Sequence, residues 1–139
     1  MVFATVILTS VLVAFLQRIF MNDTQTTLQE LRSIAAQFVK DRNWQQFHDP
    51  KNLSMALSVE AAELMEKFLW YTNEASVQAV ADNREAIEDE LADVLAYVIN
   101  FANATDIDLS QAFERKMAKN RQKYPVDKAK GRADKYNRL

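Results

Sequence analysis

The segment between Arg84 and Ala104 constrains the fold most, because its apolar residues recur at helical spacing. They are Ile87, Leu91, Val94, Leu95, Val98, Ile99 and Ala102. This period predicts one long helix. Between Leu91 and Ala102 the helix is apolar nearly all round, so it needs cover on more than one side. A second copy of the chain would supply that cover, and we therefore expect a homodimer.

Three further segments show the same period. The first begins with a capping-box pattern from Thr27 to Glu30, the second covers about 52–70, and the last starts at Asp108, a plausible N-cap, and ends before Pro125. The stretch "YTNEASVQAVADN" predicts a loop that holds at most one short helix. With one glycine and two prolines, the sequence has few residues that favour the tight turns of β-hairpins, and no alternation of apolar and polar residues typical of strands is evident. The sequence predicts an all-α four-helix bundle.

Residues 1–20 differ from the rest of the chain, because they are apolar and carry no charge before Arg18. As a helix, the uncharged run of about 16 residues would reach roughly 24 Å, which is short of a bilayer core of about 30 Å. We expect Met21 to be the natural start and 1–20 to be upstream sequence, with a membrane anchor or a packing helix as alternatives. The working domain is then 21–139, and we expect it in the cytoplasm.

Two acidic pairs lie on the predicted second and third helices. Glu60 and Glu63 form the first pair, Glu90 and Asp93 the second, and each pair is spaced i, i+3 on one helix face. Glu60 falls inside an apolar stripe, where a carboxylate is unfavourable unless it is paired or bound to a metal. If the two helices face each other, the four acids converge and require a cation. Oxygen ligands favour Mg²⁺, with Mn²⁺ as a substitute.

The residue inventory excludes several other kinds of site. Without cysteine the chain has no disulfide and no thiolate zinc site. A ferritin-like di-iron site needs a Glu-x-x-His motif from each of two helices, whereas the single histidine, His48, lies in a predicted loop. Glu66, Glu85 and Glu88 are expected to be ordinary surface charges.

The end of the chain is basic. Residues 115–139 hold ten of the 17 lysines and arginines and only two acids. Lys116, Asn120 and Arg121 could bind the phosphates of a metal-bound substrate, or they could be solvated surface groups. A nucleic-acid-binding module is the alternative from a different class, although we expect no stable nucleic-acid partner.

Aromatic side chains are available to hold a base. Trp44 and Trp70 are predicted at helix ends on either side of the acidic helix, and Tyr97 follows Asp93 by one turn. Aromatic residues at helical spacing more often belong to a core, but these two tryptophans are good candidates for a base pocket. His48 could equally make a loop hydrogen bond or contact the substrate.

Three stretches together resemble the MazG-like all-α nucleotide pyrophosphohydrolases, and most closely their dCTP pyrophosphatase branch. They are "WQQFHDPKNLSMALSVEAAELMEKFLW", "EDELADVLAYV" and "KMAKNRQKYPVDKAKGRADKY". The resemblance covers roughly 28–139. It implies Mg²⁺-dependent hydrolysis of nucleoside triphosphates between the α and β phosphates, in nucleotide-pool house-cleaning, by a dimer or a tetramer of two dimers.

The resemblance also implies roles for individual residues. The metal ligands would be Glu60, Glu63, Glu90 and Asp93. The base and sugar would be held by Trp44, His48, Trp70 and Tyr97, and the phosphates by Lys116, Asn120 and Arg121.

The chain departs from the branch at two points. Ala61 and Ala62 replace glycines beside the first acidic pair, and Leu69 stands where the branch has glutamine. The second departure bears on base selectivity, so dUTP or broad triphosphate specificity is the alternative to dCTP.

Overall fold

The computed structural model describes residues 21–138, and every regular element in this range is helical. The helices are α1 (Leu28–Asp41), α2 (Pro50–Glu66), α3 (Asn73–Asp82), α4 (Arg84–Thr105), α5 (Leu109–Lys123) and α6 (Val126–Ala129), with short 3₁₀ turns at Gln45–Phe47 and Tyr136–Arg138. The prediction of an all-α protein is confirmed. The expectations for residues 1–20 lie outside the described residues. Within the described part of the chain, no helix has the length and apolar character needed to cross a membrane.

Two predicted helix starts carry the expected caps. At α1 the Thr27 hydroxyl accepts a hydrogen bond from the Glu30 backbone N–H at 3.2 Å, and the Glu30 carboxylate accepts one from the Thr27 N–H at 2.7 Å. At α5 the Asp108 carboxylate accepts from the Gln111 N–H at 2.9 Å. These bonds satisfy backbone donors that a helix start leaves unpaired.

The predicted bounds of α2 are wrong at both ends. The helix begins at Pro50, because Asp49 caps it by accepting from the Asn52 N–H at 3.0 Å and proline suits the first helical position. It ends at Glu66, where the chain tightens into turns with a bond of 3.0 Å from the Phe68 N–H to the Met65 carbonyl. Trp70 therefore lies in a turn and not on the helix.

The chain divides into two compact units, one ending at Gln45 and the other starting at Gln46. In the first unit, Val39 is the buried residue of α1. In the second unit, α2 and α3 both pack against α4. The core of this unit consists of Leu53, Ala79, Ile87, Ile99 and Ala102. The contact of α2 with α4 positions the acidic pairs.

One side of α4 is apolar and exposed. Leu91 is 56% exposed and Leu95 is 45% exposed, and the two residues are one helical turn apart. Within the described chain, α2 and α3 therefore cover only part of the apolar circumference that the sequence predicts for this helix.

Candidate metal and nucleotide site

Three carboxylates from α2 and α4 converge. Each of the three residues contributes one carboxylate oxygen, and these three oxygens lie within 4.8 Å of one another. The residues are Glu60, Glu90 and Asp93. Glu60 comes from the middle of α2, and the other two residues are one turn apart on α4. The packing of α2 against α4 thus joins the two acidic pairs that the sequence places on separate helices.

The fourth predicted ligand, Glu63, lies at the margin of this group. Its side chain is exposed, and it is not among the three carboxylates that share the 4.8 Å cluster. It is still near enough for its charge to act on Glu60. The structure therefore brings three of the four acids together, and the role of all four as ligands stays a prediction.

Glu60 is unfavourably placed as an ionised group. Its partial burial raises the pKa of its carboxyl group above the ordinary value, and the neighbouring charges of Glu63, Asp93 and Glu90 raise it further. The folded protein thus disfavours the charged form of this carboxyl group. A bound cation would relieve this repulsion.

A cation from the chain already lies beside the cluster. The Lys67 ammonium nitrogen is 2.8 Å from Oε1 of Glu90, with side chains 32% and 16% exposed respectively. The hydrogen bond to Glu90 is the main cause that raises the pKa of Lys67 above its usual value. The sequence analysis missed this residue, although a signal was present: Lys67 follows Glu63 by four positions and Glu60 by seven, and so shares their helix face.

The donor set fits a divalent cation of the Mg²⁺ type. Bonds of about 2.1 Å in octahedral geometry place ligand oxygens about 3 Å apart when adjacent and about 4.2 Å apart when opposite. The three oxygens already lie within 4.8 Å of one another, so side-chain rotations would bring them to one ion. The candidate ligands are all carboxylate oxygens, which Mg²⁺ and Mn²⁺ prefer over imidazole or thiolate. The contact with Lys67 shows that Glu90, one of the three residues, already pairs with a positive charge.

The residues predicted to hold the base are found in different settings. Trp70 is 93% exposed and packs against little of the chain. Tyr97 is half-buried on α4, one turn after Asp93, and His48 is half-buried just before the α2 cap. Trp44 belongs to the first unit, where its ring and that of Phe38 pack edge to face with their centroids 5.9 Å apart. Their common pocket stays a prediction.

The predicted phosphate contacts lie on α5. Lys116 and Arg121 are exposed, whereas Asn120 is half-buried with its amide nitrogen 3.9 Å from the sulfur of Met117. Lys116 and Asn120 are four residues apart and so share one face of the helix. Their role in binding phosphates stays a prediction as well.

Comparison with known proteins adds evidence of family. The sequence model of the MazG-like family matches residues 55–139. The mouse protein dCTP pyrophosphatase 1 is 42% identical, and the match covers 88% of this chain and 73% of the mouse protein. The human protein of the same name is 38% identical, and the match covers 86% of this chain and 72% of the human protein. A pyrophosphatase from Archaeoglobus fulgidus, known from its crystal structure, is 34% identical with a TM-score of 0.69, over 76% of this chain and 99% of its own.

The family match covers more than half of the chain and includes both acidic pairs. The relatives extend the similarity over most of the remaining sequence. The fold agrees as well, since the archaeal pyrophosphatase superposes along nearly its whole length. This chain therefore belongs to the MazG-like family.

Proposed function

We propose that the chain is a nucleoside triphosphate pyrophosphohydrolase that converts dCTP to dCMP and pyrophosphate. The convergence of Glu60, Glu90 and Asp93 within 4.8 Å is the observation that carries the chemistry. The substrate is supported by the relatives named dCTP pyrophosphatase 1, which are 38–42% identical. Such an enzyme would remove deoxynucleotides from the precursor pool, which is a house-cleaning role.

The three carboxylates would hold Mg²⁺, or Mn²⁺ in its place. An ion held there would supply the positive charge that neutralises the triphosphate and makes a water molecule easier to deprotonate. Glu63 is exposed and lies outside the three-carboxylate cluster, and its carboxylate would accept a hydrogen bond from the attacking water and take its proton. Lys116, Asn120 and Arg121 would bind the phosphate oxygens.

A pyrophosphate-release screen tests the proposal most directly. The chain is incubated with Mg²⁺ and each natural or modified deoxynucleoside triphosphate, and dCTP or a modified dCTP should give the highest kcat/KM. A chelator should abolish release. Preference for dUTP or for all triphosphates would refute the assigned base, whereas binding to nucleic acid that weakens steeply with salt, without any hydrolysis, would favour the alternative function.

Trp70→Ala should raise KM for the preferred triphosphate and reduce discrimination between bases. The physical reason is that the indole is 93% exposed and thus available to stack on a base, which contributes about 1–3 kcal/mol in comparable sites. Trp70→Phe, which keeps an aromatic face, is the matched control and should retain most of the selectivity. An equal loss for all triphosphates would contradict a role in base recognition.

We also propose that the active form is a homo-oligomer in which a second copy covers the exposed side of α4. Leu95→Glu introduces a charge on that side and should shift the protein to a smaller species in sedimentation velocity experiments. Val77→Glu is the control, because Val77 is 75% exposed on α3 and lies away from the Leu91 and Leu95 pair in sequence. An unchanged sedimentation coefficient for Leu95→Glu would rule out this interface.

A further inference from the structure

The ion pair between Lys67 and Glu90 places a protein cation at the carboxylate cluster. The distance of 2.8 Å is that of a charge-assisted hydrogen bond, and Glu90 is 16% exposed in its side chain. Glu90 also contributes one of the three oxygens of the cluster. The ammonium of Lys67 and a divalent cation would therefore compete for the same carboxylate.

The two cations cannot lie close together on Glu90 without strong repulsion. Lys67 is the C-cap residue of α2, so its backbone is held at the end of that helix. Its side chain is a flexible four-carbon chain that is one-third exposed, and the ammonium can turn towards solvent or an incoming anion without moving the helix. The exchange of one cation for another thus needs only a side-chain rotation.

We propose that Lys67 is a positioning residue that acts as the resident counter-ion of the cluster, holding Glu90 until a divalent cation displaces it. The inference rests on the proposed metal site, but it concerns a residue that the site itself does not require. Lys67 stabilises the metal-free protein and weakens metal binding, because each bound ion has to displace the ammonium from Glu90.

Calorimetric titration with Mn²⁺, combined with thermal unfolding in chelator, tests the proposal on the full chain. Lys67→Met removes the charge and keeps much of the side-chain length, whereas Lys67→Arg keeps the charge. Lys51→Met is the matched control, because Lys51 is an exposed lysine in the first turn of the same helix, about 24 Å away along its axis. The Lys51→Met substitution changes the net charge of the protein by the same amount as Lys67→Met.

We expect Lys67→Met to bind Mn²⁺ about tenfold more tightly than the wild type and to have a lower Tm in chelator. Lys67→Arg and Lys51→Met should stay within about twofold of the wild-type Kd, a shift that corresponds to less than 0.5 kcal/mol. An unchanged or weaker Mn²⁺ affinity in Lys67→Met overturns the inference. Absence of Mn²⁺ binding to the wild type overturns it together with the metal site. Mn²⁺ binding without pyrophosphate release from dCTP would refute the proposed function and leave the role of Lys67 standing.

Discussion

Glu60→Gln should reduce pyrophosphate release from dCTP by about a thousandfold or more. The substitution keeps the size of the side chain and removes one of the three charged oxygens that converge between α2 and α4. Because phosphoryl transfer depends on charge neutralisation more than on covalent chemistry, loss of one charge from the proposed metal ligands should act directly on the barrier. Asp93→Asn should have a similar effect, since it removes a charge from the opposite helix.

The same variant should be folded and at least as stable as the wild type in chelator. The pKa of Glu60 is raised by burial and by its acidic neighbours, so above this pKa the ionised group disfavours the folded state, and glutamine removes that penalty. Thermal unfolding at neutral pH measures the change. Glu66→Gln is the matched control, because Glu66 is exposed on the same helix and outside the cluster. Full activity in both Glu60→Gln and Asp93→Asn would contradict the assigned site.

Leu53→Ala should lower the free energy of unfolding by about 3 kcal/mol. Leu53 is 2% exposed and is the largest fully buried side chain among the described residues. Its truncation removes apolar contact and leaves a cavity in the unit where α2 packs against α4. Urea denaturation followed by circular dichroism should show a lower midpoint with little change in slope.

Val77→Ala provides the comparison for this stability measurement. Val77 is 75% exposed, so shortening it should change the free energy of unfolding by no more than about 0.5 kcal/mol. If Leu53→Ala lowered the free energy of unfolding no more than Val77→Ala does, the burial of Leu53 between α2 and the rest of the core would be contradicted.

The local features of the fold could be predicted because they depend on neighbouring residues. The capping box at Thr27 and Glu30 and the Asp108 cap are short patterns with one dominant geometry. The acidic pairs were also evident, since a carboxylate such as Glu60 inside an apolar stripe needs an explanation. The end of α2 was missed because Lys67 to Trp70 continue the helical period while the backbone turns.

The remaining features depend on the three-dimensional packing and could not be read from the sequence. The i, i+3 spacing predicts the same role for Glu60 and Glu63, but only Glu60 lies in the three-carboxylate cluster with the acids of α4. Lys67 was overlooked because a lysine near a helix end is usually a surface charge, and its contact with Glu90 arises only when α2 and α4 pack. Periodicity also could not tell which sides of α4 the chain itself covers.

The position of the carboxylate cluster has a consequence for the mechanics of the chain. Glu60 and Glu90 are 30 residues apart in sequence, so an ion held by both closes a loop that contains the end of α2, the whole of α3 and the start of α4. Closing such a loop reduces the number of partly unfolded conformations that the segment can adopt, so the ion would cross-link α2 and α4. Loss of the metal would therefore loosen the segment between these residues and open it to proteases and hydrogen exchange, in addition to stopping catalysis.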